Sequence, residues 1–176
     1  MTEEKQLHTK RLILRPFSLK DAPVLYALSQ EETLRCRMPD QVYASQEEAA
    51  EVATFLEAKS QAGDWPFVLG IAIRETGELI GHVGLSQVPE GIEIGYAIAM
   101  AHQGKGYGGE VVAAFSAWAV QRFALPGIWA ILIADNTPSQ RVLEKAGYVF
   151  QWEREKEAFG GTYPCLYYLY TMEEST

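Results

Sequence analysis

The stretch Gln103-Gly104-Lys105-Gly106-Tyr107-Gly108-Gly109 restricts this chain more than any other. An apolar run at 92–100 empties into it and the apolar-periodic run 111–123 follows at once, so a strand gives way to a helix within one glycine-dense turn. Such a turn leaves several backbone N–H groups without partners and pointing the same way, with the positive end of the helix dipole behind them. That arrangement holds an anion, and phosphate above all. Five glycines fall from Gly95 to Gly109, more than a turn without a ligand needs. The same letters satisfy G-x-G-x-x-G, from Gly104 through Gly106 to Gly109. A dinucleotide site, however, wants an acidic residue about twenty positions beyond the glycines, on the ribose. Here that region is Trp129-Ala130-Ile131, and Asp135 comes too late.

The rest of the chain supplies a sheet and its covering helices. Residues 10–15 form an apolar run before Pro16 and predict a first strand. Ser18 is placed to cap a helix over 19–30, with Val24, Leu25 and Leu28 at helical spacing. Ser45-Gln46-Glu47-Glu48 is a capping box, continued by Ala49, Val52, Ala53 and Leu56 as one apolar face. Strands follow at 67–74 and 79–85, joined by the turn Glu75-Thr76-Gly77-Glu78, and after Pro89-Glu90-Gly91 a fourth strand runs over 92–100. The helix over 107–123 directs Val111, Phe115, Trp118 and Phe123 inward and stops at Leu125-Pro126-Gly127. Residues 128–133 are almost unbroken apolar sequence, a fifth strand covered on both faces. In Asn136-Thr137-Pro138-Ser139-Gln140, Thr137 reads as helix cap, Pro138 as the first helical position and Gln140 as the closing side of the box. Gly147 ends that helix, and two last strands, 148–154 and 165–170, join through Gly160-Gly161. The expectation is an α/β (α+β) fold with a mixed sheet of about seven strands and about four helices.

Composition narrows the function. With 176 residues and 48% hydrophobic content, a single domain over residues 1–176 with one sizeable core is expected. The polar start Met-Thr-Glu-Glu-Lys-Gln and the lack of a long apolar run predict a soluble, unexported, cytoplasmic protein with no membrane partner. Net charge of −8 argues against nucleic acid, whose backbone demands a basic stripe. Cys36 and Cys165 form neither a pair nor a cluster with the three histidines, so no metal site is expected.

The glycine loop resembles the Gln/Arg-x-x-Gly-x-Gly/Ala loop of the GNAT superfamily of N-acetyltransferases, which holds the pyrophosphate of acetyl-coenzyme A (acetyl-CoA). A second stretch, Asn136-x-x-Ser139-x-x-Val142-Leu143-Glu144-Lys145-Ala146-Gly147-Tyr148, is similar to another signature of that superfamily. The opening Thr9-Lys10-Arg11-Leu12-Ile13-Leu14-Arg15-Pro16, with 79–85 and Glu93-Ile94-Gly95-Tyr96, looks like the ribosomal-protein-alanine N-acetyltransferase-like branch. The resemblance covers about residues 9–171. It implies a sheet whose fourth and fifth predicted strands splay apart into an acetyl-CoA slot, where the pantetheine arm adds its amides like a missing strand.

The resemblance also implies roles. Ile98, Ala99 and Met100 would line the slot, and an N–H near Ile98 would reach the thioester oxygen. Gln103, Gly104, Lys105, Gly106, Tyr107, Gly108 and Gly109 would bind pyrophosphate. Glu93 would be the general base for an amine attacking the thioester directly in a ternary complex. Asn136 would bind cofactor or water, and Ser139 would hold the pantetheine arm or protonate the departing thiolate. Relatives with a tyrosine as acid carry it where this chain has Leu143, and Pro164-Cys165 replaces a frequent aspartate. His82, His102, Trp65, Trp118, Trp129 and Trp152 read as packing or cleft walls, and Cys165 has no base beside it. Two functional classes follow: an N-acetyltransferase acting on a protein N-terminal or small-molecule amine, as monomer or homodimer, and a module that binds the acyl carrier without turnover.

Overall fold

A computed structural model describes residues 6–158 and 160–172, so all of the polar start except Gln6 lies outside the described residues. Its centre is an eight-stranded sheet: β1 (Leu7–His8), β2 (Leu12–Arg15), β3 (Phe67–Ile73), β4 (Leu79–Val88), β5 (Gly91–Ile98), β6 (Ile128–Ile133), β7 (Val149–Ala158) and β8 (Gly161–Tyr170). Spatial order is β1-β2-β3-β4-β5-β6-β8-β7, antiparallel throughout except between β5 and β6. Five helices cover it: α1 (Ala22–Ser29), α2 (Glu32–Arg37), α3 (Gln46–Ala62), α4 (Tyr107–Arg122) and α5 (Thr137–Lys145). The seven expected strands and four expected helices are all present. The two-residue β1 and the six-residue α2 are additional, both too short to display a period in the sequence.

Local chemistry explains the element ends. The α3 cap is Ser45, whose side chain accepts from the Glu48 amide at 3.1 Å, while the Glu48 carboxylate takes the Ala44 N–H rather than closing on Ser45. Between β2 and α1 the chain first makes a 3₁₀ turn, Leu19–Asp21. There Asp21 accepts from the Ser18 N–H at 2.9 Å and forms a two-pronged pair with Arg15 at 2.8 and 2.9 Å. Helix α4 ends without help from Gly127: Ala124, at φ 49°, takes the left-handed position. Gly127 is needed for a different reason, since a Cβ there would meet the Tyr170 carbonyl at 2.9 Å.

The core lies between the sheet and helices α4 and α5. Val111, Val112, Phe115 and Ala119 of α4 are fully buried against Leu12, Leu14, Ile80, Val83, Leu85 and Ile128. Leu143 of α5 is in the same cluster, and Ser116 shares a buried 2.7 Å hydrogen bond with Tyr148. Trp65, Phe67, Trp118 and Phe123 stack with centroids 5.0 to 5.9 Å apart at the far end of α4, which makes Trp65 and Trp118 packing residues. The opposite face carries a smaller cluster of Phe17, Leu25, Ala53, Leu56 and Leu79 under α1 and α3. On β6 the burial alternates: Ile128, Ala130 and Leu132 are buried, while Trp129, Ile131 and Ile133 are half-buried. The double-sided cover expected from its apolar sequence is therefore incomplete, because one face borders an open part of the sheet. No described helix is long and apolar enough to cross a membrane.

Candidate active site

One seam of the sheet is unlike the others. β4 and β5 pair in unbroken register from Val88↔Gly91 to Gly81↔Ile98, whereas β5 and β6 share the single pair Glu93↔Trp129. Beyond that pair the two strands part. The Ala99 N–H donates to the Ile80 carbonyl at 2.7 Å, so odd-numbered amides of β5 face β4. By the alternation of an antiparallel ladder, the backbone groups of Tyr96 and Ile98 then face β6, which is no longer there to receive them. The result is an opening bordered by two strands, in which the amides of Tyr96 and Ile98 face the gap while the Ile98 carbonyl is met by the Gln103 side chain.

The glycine turn stands at the mouth of this slot. Gly104 and Gly106 have φ of 77° and 83°, the left-handed region closed to most side chains, and Gly106 is the N-cap of α4 with no side chain to satisfy its first turn. Among the described residues, none of the amides of residues 104–109 has an intrachain acceptor. Six donors therefore lie unpartnered in one turn, the last three of them in the first residues of α4. The turn is held from outside: Arg11 donates from Nη1 to the Lys105 carbonyl at 3.0 Å, pairs through Nε with Glu110 at 2.8 Å, and lies 4.3 Å over the Tyr107 ring. Glu110 also accepts from the Arg11 N–H and the Thr9 hydroxyl, so the turn between β1 and β2 braces the first turn of α4. Burial pushes the Glu110 carboxyl up, but the Thr9 and Arg11 donors outweigh it and hold the group below its ordinary range.

Some expected ligands are already engaged. The Gln103 side chain folds back and donates to the Ile98 carbonyl at 2.9 Å, and its own N–H donates to the Met100 carbonyl at 3.3 Å, so Gln103 props the slot rather than joining the unpartnered donors. The Met100 N–H is taken by Glu31 at 2.9 Å and that of Ala99 by Ile80. Of the three residues expected to line the slot, Ile98 alone turns its N–H toward it. Asn136 also departs from expectation: it, not Thr137, is the cap of α5, its side chain accepting from the Ser139 N–H at 3.4 Å. Gln140 reaches the Ala134 carbonyl at 2.9 Å instead of closing a box.

The slot divides two sets of chemistry. Glu93, Gly95 and Ala97 project to the face away from α4, together with Trp129, Ile131, Cys165, Tyr167 and Trp152 on the neighbouring strands. A Cβ on Gly95 would meet nothing within 4 Å, so the floor beside Glu93 is open. Burial pushes the Glu93 carboxyl up to about 7, with Lys156 and the Ile131 N–H opposing the shift and Glu90 adding to it. Trp129, Trp152 and Tyr167 stack in sequence at 5.2 and 5.7 Å beside it. The Cys165 thiol is pushed up by burial, which suits a packed thiol and not a nucleophile. On the other face, under α4 and α5, the Tyr96 hydroxyl lies 3.0 Å from the Ser139 hydroxyl. In the sequence Tyr96 stands within the Glu-Ile-Gly-Tyr motif with no role of its own. The signal was parity, since residues 93 and 96 must point to opposite faces of one strand.

The remaining candidates lie elsewhere. His82 is buried in β4 and held neutral, burial lowering it to about 4. His102 pairs with Glu78 at 3.2 Å on the outside of the turn. Among the described residues no three His, Cys, Asp or Glu side chains come together as metal ligands.

Comparison with known proteins agrees with this geometry. The Acetyltransferase (GNAT) domain family matches residues 11–149. The chain is 32% identical over 148 residues to the uncharacterized N-acetyltransferase YoaA of Bacillus subtilis, covering 81% of each. Among solved structures, the ribosomal-protein-S5-alanine acetyltransferase of Vibrio fischeri superposes with a TM-score of 0.81 at 20% identity, over 94% of this chain and 96% of that one. The microcin C7 self-immunity acetyltransferase MccE, solved in complex with acetyl-CoA and AMP, gives 0.77 at 17% identity over 93% of each.

Proposed function

Because the chain belongs to the GNAT acetyltransferase family, we propose that it is an acetyl-CoA-dependent N-acetyltransferase that passes the acetyl group directly to a primary amine. The observation that carries this reading is the coincidence of three features at one seam: six unpartnered amides, a gap between strands that the Tyr96 and Ile98 amides face, and a half-buried carboxyl beside the gap. A thioester carrier supplies an activated acetyl carbon and a stable thiol leaving group. The amides of residues 104–109 bind its pyrophosphate, and Arg11 keeps their turn in place. The Ile98 N–H donates to the acyl oxygen as negative charge gathers there. Glu93 takes the proton of the attacking amine.

Magnitudes suit that assignment. An α-amine with pKa about 8 needs roughly 1 kcal/mol to lose its proton at neutral pH, a lysine side chain about 4 to 5. A carboxyl near 7 is matched to the first task. This favours a peptide N-terminus or another weakly basic amine as acceptor, in keeping with the ribosomal-protein-S5-alanine acetyltransferase of similar fold. The aromatic row of Trp129, Trp152 and Tyr167 would wall the acceptor cleft.

The test is thiol release from acetyl-CoA with a panel of peptide N-termini, polyamines and amino sugars. Release that depends on an amine supports the enzyme. Calorimetric binding of acetyl-CoA with no release across the panel would instead make the protein an acyl-carrier sensor.

A further inference from the structure

We propose that Tyr96 and Ser139 form a two-hydroxyl relay that serves the departing thiolate, with Ser139 touching sulfur and Tyr96 positioning and recharging Ser139. The inference rests on the acetyltransferase reading, in which Ser139 is already an expected proton source, and adds Tyr96 to it. The acid used by tyrosine-bearing relatives is replaced here by Leu143, which is 2% exposed within the core and offers no proton. The only side-chain hydroxyl pair bridging β5 and α5 among the described residues is Tyr96 with Ser139, at 3.0 Å.

Its place in the fold suits the task. Tyr96 leaves β5 where that strand has already parted from β6, and its ring passes beneath the first turn of α4, 3.5 Å from where a Cβ on Gly108 would lie. Ser139 stands in the first turn of α5, its N–H held by the capping Asn136. The pair is thus fixed from both helices and lies on the face of the slot opposite Glu93. A thioester carbon between the faces would have its amine on the Glu93 side and its sulfur on the Tyr96–Ser139 side.

The step balances. The amine nitrogen bonds to the acetyl carbon and gives a proton to Glu93. The carbon–sulfur bond breaks with its electron pair on sulfur, the Ser139 hydroxyl gives its proton to sulfur, and the Tyr96 hydroxyl replaces it. Tyr96 regains a proton from water, and Glu93 releases one to water. Burial raises the Tyr96 hydroxyl above its ordinary value despite the Ser139 contact, so the pair acts as a reluctant acid and returns to its protonated state after each turnover.

The experiment compares Tyr96→Phe, Ser139→Ala and the double variant in steady-state turnover, with coenzyme A affinity measured by calorimetry. Tyr96→Phe keeps the ring that packs under α4 and deletes only the hydroxyl. Expected is a fall in kcat of about tenfold for Tyr96→Phe and about a hundredfold for Ser139→Ala, each with coenzyme A affinity within about twofold of wild type. The double variant should be no slower than Ser139→Ala, because both hydroxyls act in one path. A purely structural role would shift affinity or KM instead. Wild-type kcat in Tyr96→Phe, or losses that multiply in the double variant, would overturn the relay while leaving the acetyltransferase intact. Absence of turnover in wild type would instead remove the reading on which the relay rests.

Discussion

At the scale of single residues, burial decides what each group can do. Glu93 is the clearest case, because its carboxyl, on β5 opposite Trp129 of β6, is raised by burial to about 7. In its proposed role as base it works only when ionised, so kcat/KM should climb with pH through about 7 and level off above it, and Glu93→Gln should remove that rise along with most of the rate. Stability moves in the opposite direction. The folded value lies above the ordinary 4.5, so the folded state holds the extra proton between those values, and stability falls as pH rises from about 4.5 through about 7. Glu93→Gln should relieve up to about 3 kcal/mol of that loss at pH 8, read from urea melts of both proteins at pH 5 and pH 8. Asp21 behaves conversely. Burial pushes its carboxyl up, but Arg15 and Ser18 more than offset this, so its contribution is present above the ordinary carboxylate range and fades as acid titrates it.

Among elements, turns and seams matter more than helix content. Gly81 lies on β4 opposite Ile98, and a Cβ there would fall 2.1 Å from the Ala97 carbonyl. Gly81→Ala should therefore cost about 2–4 kcal/mol and, by pushing β5 aside, weaken coenzyme A binding, both readable by thermal melting with and without ligand. Ala124 offers the reverse case, a non-glycine residue at φ 49° ending α4. Ala124→Gly should stabilise by up to about 1 kcal/mol, set by relief of left-handed strain against the extra freedom of unfolded glycine. Much of this element map was legible in the sequence. The strands at 67–74, 92–100 and 128–133 and the helix opened by Ser45 carry strong periods and punctuation, and each is present. Of the candidate site, the unpartnered glycine turn at 104–109 was legible, because backbone chemistry dominates there. It was not legible where one polar group chooses between partners: Asn136 rather than Thr137 as cap, Gln103 turned back to Ile98, Glu31 on the Met100 amide. Those choices depend on distances between elements far apart in the chain, and α2, which brings Glu31 there, is too short to announce itself.

For the whole molecule, function follows from one interruption in an otherwise continuous sheet. In the proposed reaction the unpartnered amides of the glycine turn and of the start of α4, the Ile98 N–H and the Glu93 carboxyl act together because β5 and β6 diverge between them. Two ties cross that gap on the face away from α4: Glu31 with Met100 just past the end of β5, and Arg37 with Asp135 beyond β6 at 2.7 Å. Helix α2 thus spans the seam from one wall to the other. The Arg37–Asp135 pair is largely exposed, so Asp135→Asn should change stability by less than about 1 kcal/mol. Its effect should be on KM for the amine, with coenzyme A affinity unchanged. The most direct measurement is a residue-resolved amide NMR titration of the full chain with acetyl-CoA. The largest shifts should fall on the amides of Gly104, Gly106, Gly108, Gly109 and Ile98, saturating together at one equivalent of ligand. Saturating acetyl-CoA that leaves those five amides unmoved, or perturbs a different face of the sheet, would contradict the assignment of the slot.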